Sequence, residues 1–189
     1  MLTVYLDFKS ADAYLAMKPT LALAKRLSLN IDWKPFRAIE RDVPKLGRSE
    51  TVGESHRRVR AESQRKLVIK YAAHQGIDLN YPDRPGNTDL ALGVLAVLDG
   101  DPVPFIEASF EAYWTAHADL DDPAIVQALM AQCGIGLDTD FDTLRATFET
   151  AQMQAEEAGI VGTPAYVIAD QVFVGREHLP WIEELARAL

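Results

Sequence analysis

Cysteine is nearly absent from this chain: of 189 residues only Cys133 carries a thiol. One thiol closes no intrachain disulfide, makes no dithiol redox centre and builds no Cys-based metal site. Long apolar runs are missing as well. No stretch reaches the ~18 consecutive apolar residues of a membrane span, and the opening "MLTVYLDFKS" lacks the basic segment that precedes the apolar core of a secretion signal. A cytoplasmic protein with no membrane partner is the expectation. Positive charge is in deficit, since 19 Lys and Arg against 28 Asp and Glu leave a net charge of -9 and a pI near 4.9. Such a field repels a phosphate backbone, so nucleic acid is not an expected partner. The one basic concentration, "HRRVRAESQRK" at 56–66, spreads Arg57, Arg58, Arg60, Arg65 and Lys66 around a helix with Glu62 among them. It reads first as a solvated helix face, with an anion site or partner surface as the alternative. His56, His74, His117 and His178 fall at no metal-ligand spacing, so no metal is expected.

What is present is an ordinary globular composition, 48% hydrophobic and 25% charged, with mean hydropathy -0.07 and no low-complexity linker. The length allows one domain, or a small domain carrying an inserted subdomain. "LTVYLDF" (2–8) sets Leu2, Val4, Leu6 and Phe8 in alternation with Tyr5 between them, the pattern of a strand buried largely on both faces. "ADAYLAMKPTLALAKRLS" (11–28) then repeats apolar residues at helical spacing, with Pro19 placed to kink the helix. "NIDWKPF" (30–36) reads as a second strand, completing a right-handed β-α-β unit.

From about residue 38 the periodicity turns helical. Helices are expected over 54–75, 88–99, 103–116, 122–133 and 140–158, with Thr88, Asp122 and Asp140 as N-caps and Gly134 and Gly159 as stops. Phe110, Tyr113 and Trp114 read as core, and Cys133 as a small buried apolar residue. The tail returns to β character: "AYVIA" (165–169) and "VFV" (172–174) flank Asp170-Gln171, read as a two-residue hairpin connection. An amphipathic helix over about 179–188, with Pro180 in its first turn, closes the chain. The order β-α-β, helical block, β-β-α predicts an α/β thioredoxin-like domain formed by 1–37 and 160–189, with 38–159 as an inserted all-helical subdomain.

Two features converge in such a fold. Ser10 stands at the start of the first helix, where unpaired N–H groups and the helix dipole favour an anion. "GTP" (162–164) forms a loop that this fold places opposite that helix start, and the sequence leaves open whether Thr163-Pro164 is cis. Ser10 also reads as a plain N-cap, and the loop as a purely structural one.

"YLDFKSADAYLAMKPTLALA", "KPF", "GNTDLAL", "ADLDDPAIVQALM" and above all "EEAGIVGTPAYVIADQVFVGREHL" resemble the 2-hydroxychromene-2-carboxylate isomerase and kappa-class glutathione transferase family, a branch of the DsbA-like thioredoxin fold. The resemblance covers essentially the whole chain. It implies glutathione as cofactor, a small aromatic or hydrophobic substrate, and a homodimer as an open question. It further implies that Ser10 holds the glutathione sulfur as thiolate, where oxidoreductases of this fold carry their first cysteine. Thr163 and Pro164 would meet the cysteinyl part, and Arg176 and Glu177 the γ-glutamyl end. Chemistry agrees, because a thiol with pKa near 8.5 needs a helix N-terminus and a donor to become a nucleophile.

The departures are specific. The family pattern Ser-Pro-x-Ser becomes Ser10-Ala11-Asp12-Ala13, and a carboxylate aimed into the site would repel a thiolate. "RAIERDVPKLGRSET" lacks the Asn-Lys-Pro-Pro-like segment with which the family holds the glutathione carboxylate, leaving Lys45 or Arg48 as substitutes. The alternative to an enzyme is therefore a non-catalytic DsbA-like thiol- or peptide-binding module.

Overall fold

A computed structural model describes residues 1–38 and 51–189. Strand β1 (Leu2–Leu6) pairs in parallel with β2 (Ile31–Pro35), Leu2 opposite Ile31 and Leu6 opposite Pro35. On its other side β1 runs antiparallel to β3 (Ala165–Ile168), which forms a hairpin with β4 (Gln171–Val174). The sheet order is β2-β1-β3-β4. Burial along β1 alternates, with Leu2, Val4 and Leu6 buried and Thr3 and Tyr5 half-buried, so this strand is less enclosed than the apolar pattern predicted. The hairpin turn is Ala169-Asp170, both at positive φ (49° and 59°), one residue earlier than the expected Asp170-Gln171. Alanine seldom enters that region, and this hid the true turn from the sequence.

Helix α1 (Ala11–Leu27) crosses between β1 and β2 and runs unbroken through Pro19. Helix α2 (Val52–His74) opens on a capping box, in which Thr51 accepts from the Glu54 N–H and the Glu54 carboxylate accepts from the Thr51 N–H. It is mostly solvated: Val68 and Ala72 alone are buried, against Leu15 of α1. Helices α3 (Asp89–Val97), α4 (Val103–Ala116), α5 (Pro123–Gln132) and α6 (Phe141–Glu157) follow, within two residues of the expected bounds, and α7 (Leu179–Ala188) ends the chain. Asp122 and Asp140 cap α5 and α6 as expected.

Thr88 occupies the cap position of α3 but makes no cap bond, which corrects its expected role. Asn87 Oδ1 accepts from the Thr88 and Asp89 N–H groups instead, and the Thr88 hydroxyl donates to Asp7 at 2.6 Å.

Helices α3 and α6 cover the β2 side of the sheet, and α3 meets α6 so closely that a Cβ at Gly93 would lie 2.5 Å from the Leu144 carbonyl oxygen. Arg37, just past β2, locks this corner. Its guanidinium donates twice to Asp89, at 2.9 and 2.8 Å, and once to Glu149, while lying 4.9 Å over the Phe148 ring. Phe110, Tyr113 and Trp114 are buried as expected, and the Trp114 indole donates to the Phe8 carbonyl at 2.9 Å, tying α4 to the β1–α1 turn.

Candidate functional site

The turn between β1 and α1 sets Ser10. Its N–H donates to the Asp7 carbonyl at 3.0 Å and its own carbonyl receives the Tyr14 N–H, so the backbone is held on both sides. With extended φ and ψ of -85° and 108°, Ser10 is the N-cap of α1, its hydroxyl oxygen accepting from the Ala13 N–H at 3.2 Å. The same hydroxyl donates to the Thr163 carbonyl at 3.4 Å. The helix start and the Gly-Thr-Pro loop thus meet as the sequence foresaw, and Thr163-Pro164 is cis. The Ser10–Thr163 bond is long, and a charged acceptor such as a thiolate would outcompete it.

Beside this contact opens a cleft of about 750 Å³. Asp12 and Pro19 of α1, Thr163 and Pro164 of the loop, and Gly175, Arg176 and Glu177 after β4 line one side. Ser10 is not itself on the wall and reaches the cleft through Thr163. Arg176 and Glu177 belong to a short 3-10 turn, Arg176–His178, entered through Gly175 at φ 107°. A Cβ at Gly175 would overlap the Glu177 carboxylate, which folds back over it. Arg176 lies 4.3 Å above the ring of Tyr71, and among the described residues neither Arg176 nor Glu177 is engaged in a salt bridge. Two opposite charges are left facing a cleft, side by side.

The facing wall is α2, through Gln64, Leu67 and Tyr71, and its C-cap Gln75. Sequence reasoning missed it. The 3-4-4 spacing of these four was the available signal, concealed because a glutamine, a leucine, a tyrosine and another glutamine make no apolar stripe. The foot of α2 is fastened to α1: Gln75 Nε2 donates to the Leu15 carbonyl at 3.1 Å, and Lys18 Nζ to the Gln75 carbonyl at 2.9 Å. In the basic run 56–66, Arg57, Arg60, Arg65 and Lys66 are exposed as the solvated reading expects, with Arg65 4.3 Å over the Tyr81 ring, while Arg58 is half-buried and pairs with Glu62 at 3.0 Å.

Asp12 points into the cleft. Burial pushes its carboxyl up from the ordinary value, Arg176 and a hydrogen bond from Gln64 pull it back in part, and Glu177 adds to the rise. Tyr81, nearby, is pushed up to about 12 by burial and by Asp12, against Arg65. Cys133 is half-buried at the end of α5, its thiol raised by burial. Lys45 and Arg48, proposed for a carboxylate clamp, lie outside the described residues. Among the described residues no helix is long and apolar enough to cross a membrane.

A four-stranded sheet in the order β2-β1-β3-β4, with a cis-proline loop against the start of its first helix, defines a thioredoxin-like protein in which serine stands at the helix start. The chain belongs to the DsbA-like thioredoxin domain family, whose model matches residues 1–186. A curated relative, the 2-hydroxychromene-2-carboxylate isomerase of Sphingobium xenophagum, is 24% identical over 188 residues, covering 95% of this chain and 94% of its own. Among solved structures, a 2-hydroxychromene-2-carboxylate isomerase superposes with a TM-score of 0.69 at 16% identity, over 97% of this chain and 92% of the other. A probable DsbA oxidoreductase from Streptomyces coelicolor reaches 0.72 at 16% identity, over 99% and 89%. The cytosolic disulfide reductase DsbM of Pseudomonas aeruginosa, solved with GSH, gives 0.59 at 15% identity, over 99% and 96%.

Proposed function

We propose that this protein is a glutathione-dependent isomerase or transferase of the 2-hydroxychromene-2-carboxylate isomerase type, acting on a small aromatic or hydrophobic substrate. The observation that carries the reading is the Ser10 hydroxyl at the start of α1, weakly held by the carbonyl of Thr163 beside the cleft. The residues present fit glutathione. Thr163 Oγ1 is a buried hydroxyl without a partner among the described residues, and Arg176 and Glu177 offer opposite charges to a zwitterionic amino-acid end. When bound, glutathione supplies a soft sulfur nucleophile that adds to a conjugated double bond and leaves again, so that the bond between can rotate.

With glutathione bound, the Ser10 hydroxyl would donate to the sulfur in place of the Thr163 carbonyl, while the Ala13 N–H would keep the oxygen in place. The free N–H groups at the α1 start add positive potential at the same point. Thr163 and Pro164 would hold the cysteinyl part, and Arg176 and Glu177 the γ-glutamyl end. The apolar surface of Leu67, Tyr71 and Leu179 receives the hydrophobic substrate and keeps water from it. A cytoplasmic location suits a cofactor that must stay reduced.

One feature favours the second reading, a thiol- or peptide-binding module without catalysis: the Asp12 carboxylate in the cleft opposes a thiolate. Titration calorimetry with millimolar glutathione, followed by an absorbance assay on a hydroxychromene carboxylate, separates the two. Binding with turnover that Ser10→Ala abolishes supports the enzyme; binding without turnover, or no binding of glutathione, overturns the enzyme and leaves the module.

A further inference from the structure

Asp7 is fully buried, yet it is a carboxylate three residues before Ser10. Each of its oxygens is used. Oδ1 accepts from the Thr88 hydroxyl at 2.6 Å and from the Lys9 N–H at 3.2 Å, and Oδ2 accepts from the Ala38 N–H at 2.6 Å with the Lys9 ammonium 3.9 Å away. These donors come from three separate pieces of chain: the β1–α1 turn, the end of the β2 segment and the cap position of α3. The Asp7 carbonyl meanwhile receives the Ser10 N–H. A buried carboxylate carries a large desolvation cost, and an apolar side chain would fill the space more cheaply. Its three hydrogen bonds answer two backbone N–H groups and the Thr88 hydroxyl, all of which such a side chain would orphan.

From this geometry we infer that Asp7 is a positioning residue for Ser10, holding the turn so that the serine hydroxyl stands at the thiol site. Asp7 is not among the residues lining the cleft, and its hydrogen bonds go to Lys9, Ala38, Thr88 and the Ser10 N–H, so it acts through the backbone of the turn. The inference rests, for its functional consequence, on the glutathione reading above. Asparagine is the discriminating substitution because it keeps the shape but brings an N–H₂ to face at least one of the three donors. Direct electrostatics and positioning then predict opposite results. Removing a nearby negative charge by itself lowers the pKa of a bound thiol; loss of the Ser10 hydroxyl from its place raises it.

The test follows the ultraviolet thiolate absorbance of protein-bound glutathione against pH in Asp7→Asn, Ser10→Ala and the double variant. Asp7→Asn should raise the bound-thiol pKa by about one unit, a tenfold loss of thiolate below the pKa, and should add nothing in the Ser10→Ala background. An unchanged or lowered pKa, or full additivity with Ser10→Ala, overturns the inference. A second measurement needs no glutathione: the amide resonance of Ala13, which reports its bond to Ser10, should move in Asp7→Asn while that of Thr143, capped by Asp140 on α6, stays. If Ala13 does not move, Asp7 does not position Ser10, whatever the fate of the glutathione reading. Should Asp7→Asn fail to fold, Thr88→Val removes one of the three bonds and should move Ala13 in the same direction by a smaller amount.

Discussion

At the scale of single residues, Ser10 and Asp12 act on one thiol in opposite senses. Ser10 offers a proton whose present bond to Thr163 is long at 3.4 Å, and Asp12 brings a carboxylate to the same cleft. Ser10→Ala should lower turnover by about 10²–10³, the scale for removing one donor from a developing or fixed anion, with glutathione affinity changed far less; a kcat and KM comparison checks the split. Asp12→Asn should lower the pKa of the bound thiol, and the thiolate absorbance at neutral pH should rise. Asp12 also leaves a mark on stability. Its folded-state pKa stands above the ordinary 3.8, so the protonated form favours folding, fully below that value, and the contribution is lost as pH rises through the raised folded value. Denaturant midpoints of wild type relative to Asp12→Asn should therefore fall as pH climbs through that window. A difference that stays flat, or rises, would sink the argument. The Ser10–Thr163 meeting was legible in the sequence, because helix starts and Gly-x-Pro loops announce themselves by residue type and spacing. The direction of Asp12 was not, since a first-turn carboxylate is equally at home capping a helix in solvent.

At the scale of elements, two glycines show how tightly neighbours are set. Gly93 lets α3 approach α6, where a Cβ would sit 2.5 Å from the Leu144 carbonyl oxygen and 2.8 Å from its carbon. Backbone cannot step aside as a side-chain tip can, so Gly93→Ala should cost about 1–3 kcal/mol and lower the thermal midpoint, with the cleft intact. Gly175 is different: at φ 107° and under the Glu177 carboxylate, its alanine variant should displace Glu177 and weaken glutathione binding about tenfold, ~1.4 kcal/mol by calorimetry. Most element bounds were readable because Asp122, Asp140, Gly134 and Gly159 mark helix ends by local chemistry alone. Thr88 does stand at the cap position of α3, but its hydroxyl bonds to Asp7 instead of capping, a tertiary partner that no local rule contains. Helix α2 as a cleft wall was concealed: its composition is that of a solvated helix, and its docking at Val68 and Ala72 gives the spacing of Gln64, Leu67 and Tyr71 its meaning.

At the scale of the whole molecule, the question is whether the flanking thioredoxin-like segments and the helical block behave as two bodies. One continuous core cluster joins Leu2, Val4 and Phe8 near β1 with Leu90 and Leu92 of α3, Phe105 and Phe110 of α4, Phe148 of α6, Tyr166 of β3 and Ile182 of α7. Phe8 is the hinge of that continuity. It is fully buried at the end of β1 and meets Phe105 and Phe110 edge-on, with centroids 6.1 and 5.4 Å apart, while its carbonyl receives the Trp114 indole. The Asp7 carboxylate, next in sequence, bonds to Thr88 at the mouth of α3. Separating the two parts would expose this aromatic seam and take from Asp7 its Thr88 partner, so neither part has a low-energy way to open alone. Heating should therefore produce a single transition with calorimetric and van't Hoff enthalpies in agreement. Phe8→Ala should cost about 3–5 kcal/mol and move that one transition as a unit. Two resolved transitions in the wild type, or a Phe8→Ala variant that splits one into two, would show that the helical block folds on its own and that the seam merely joins it to the sheet.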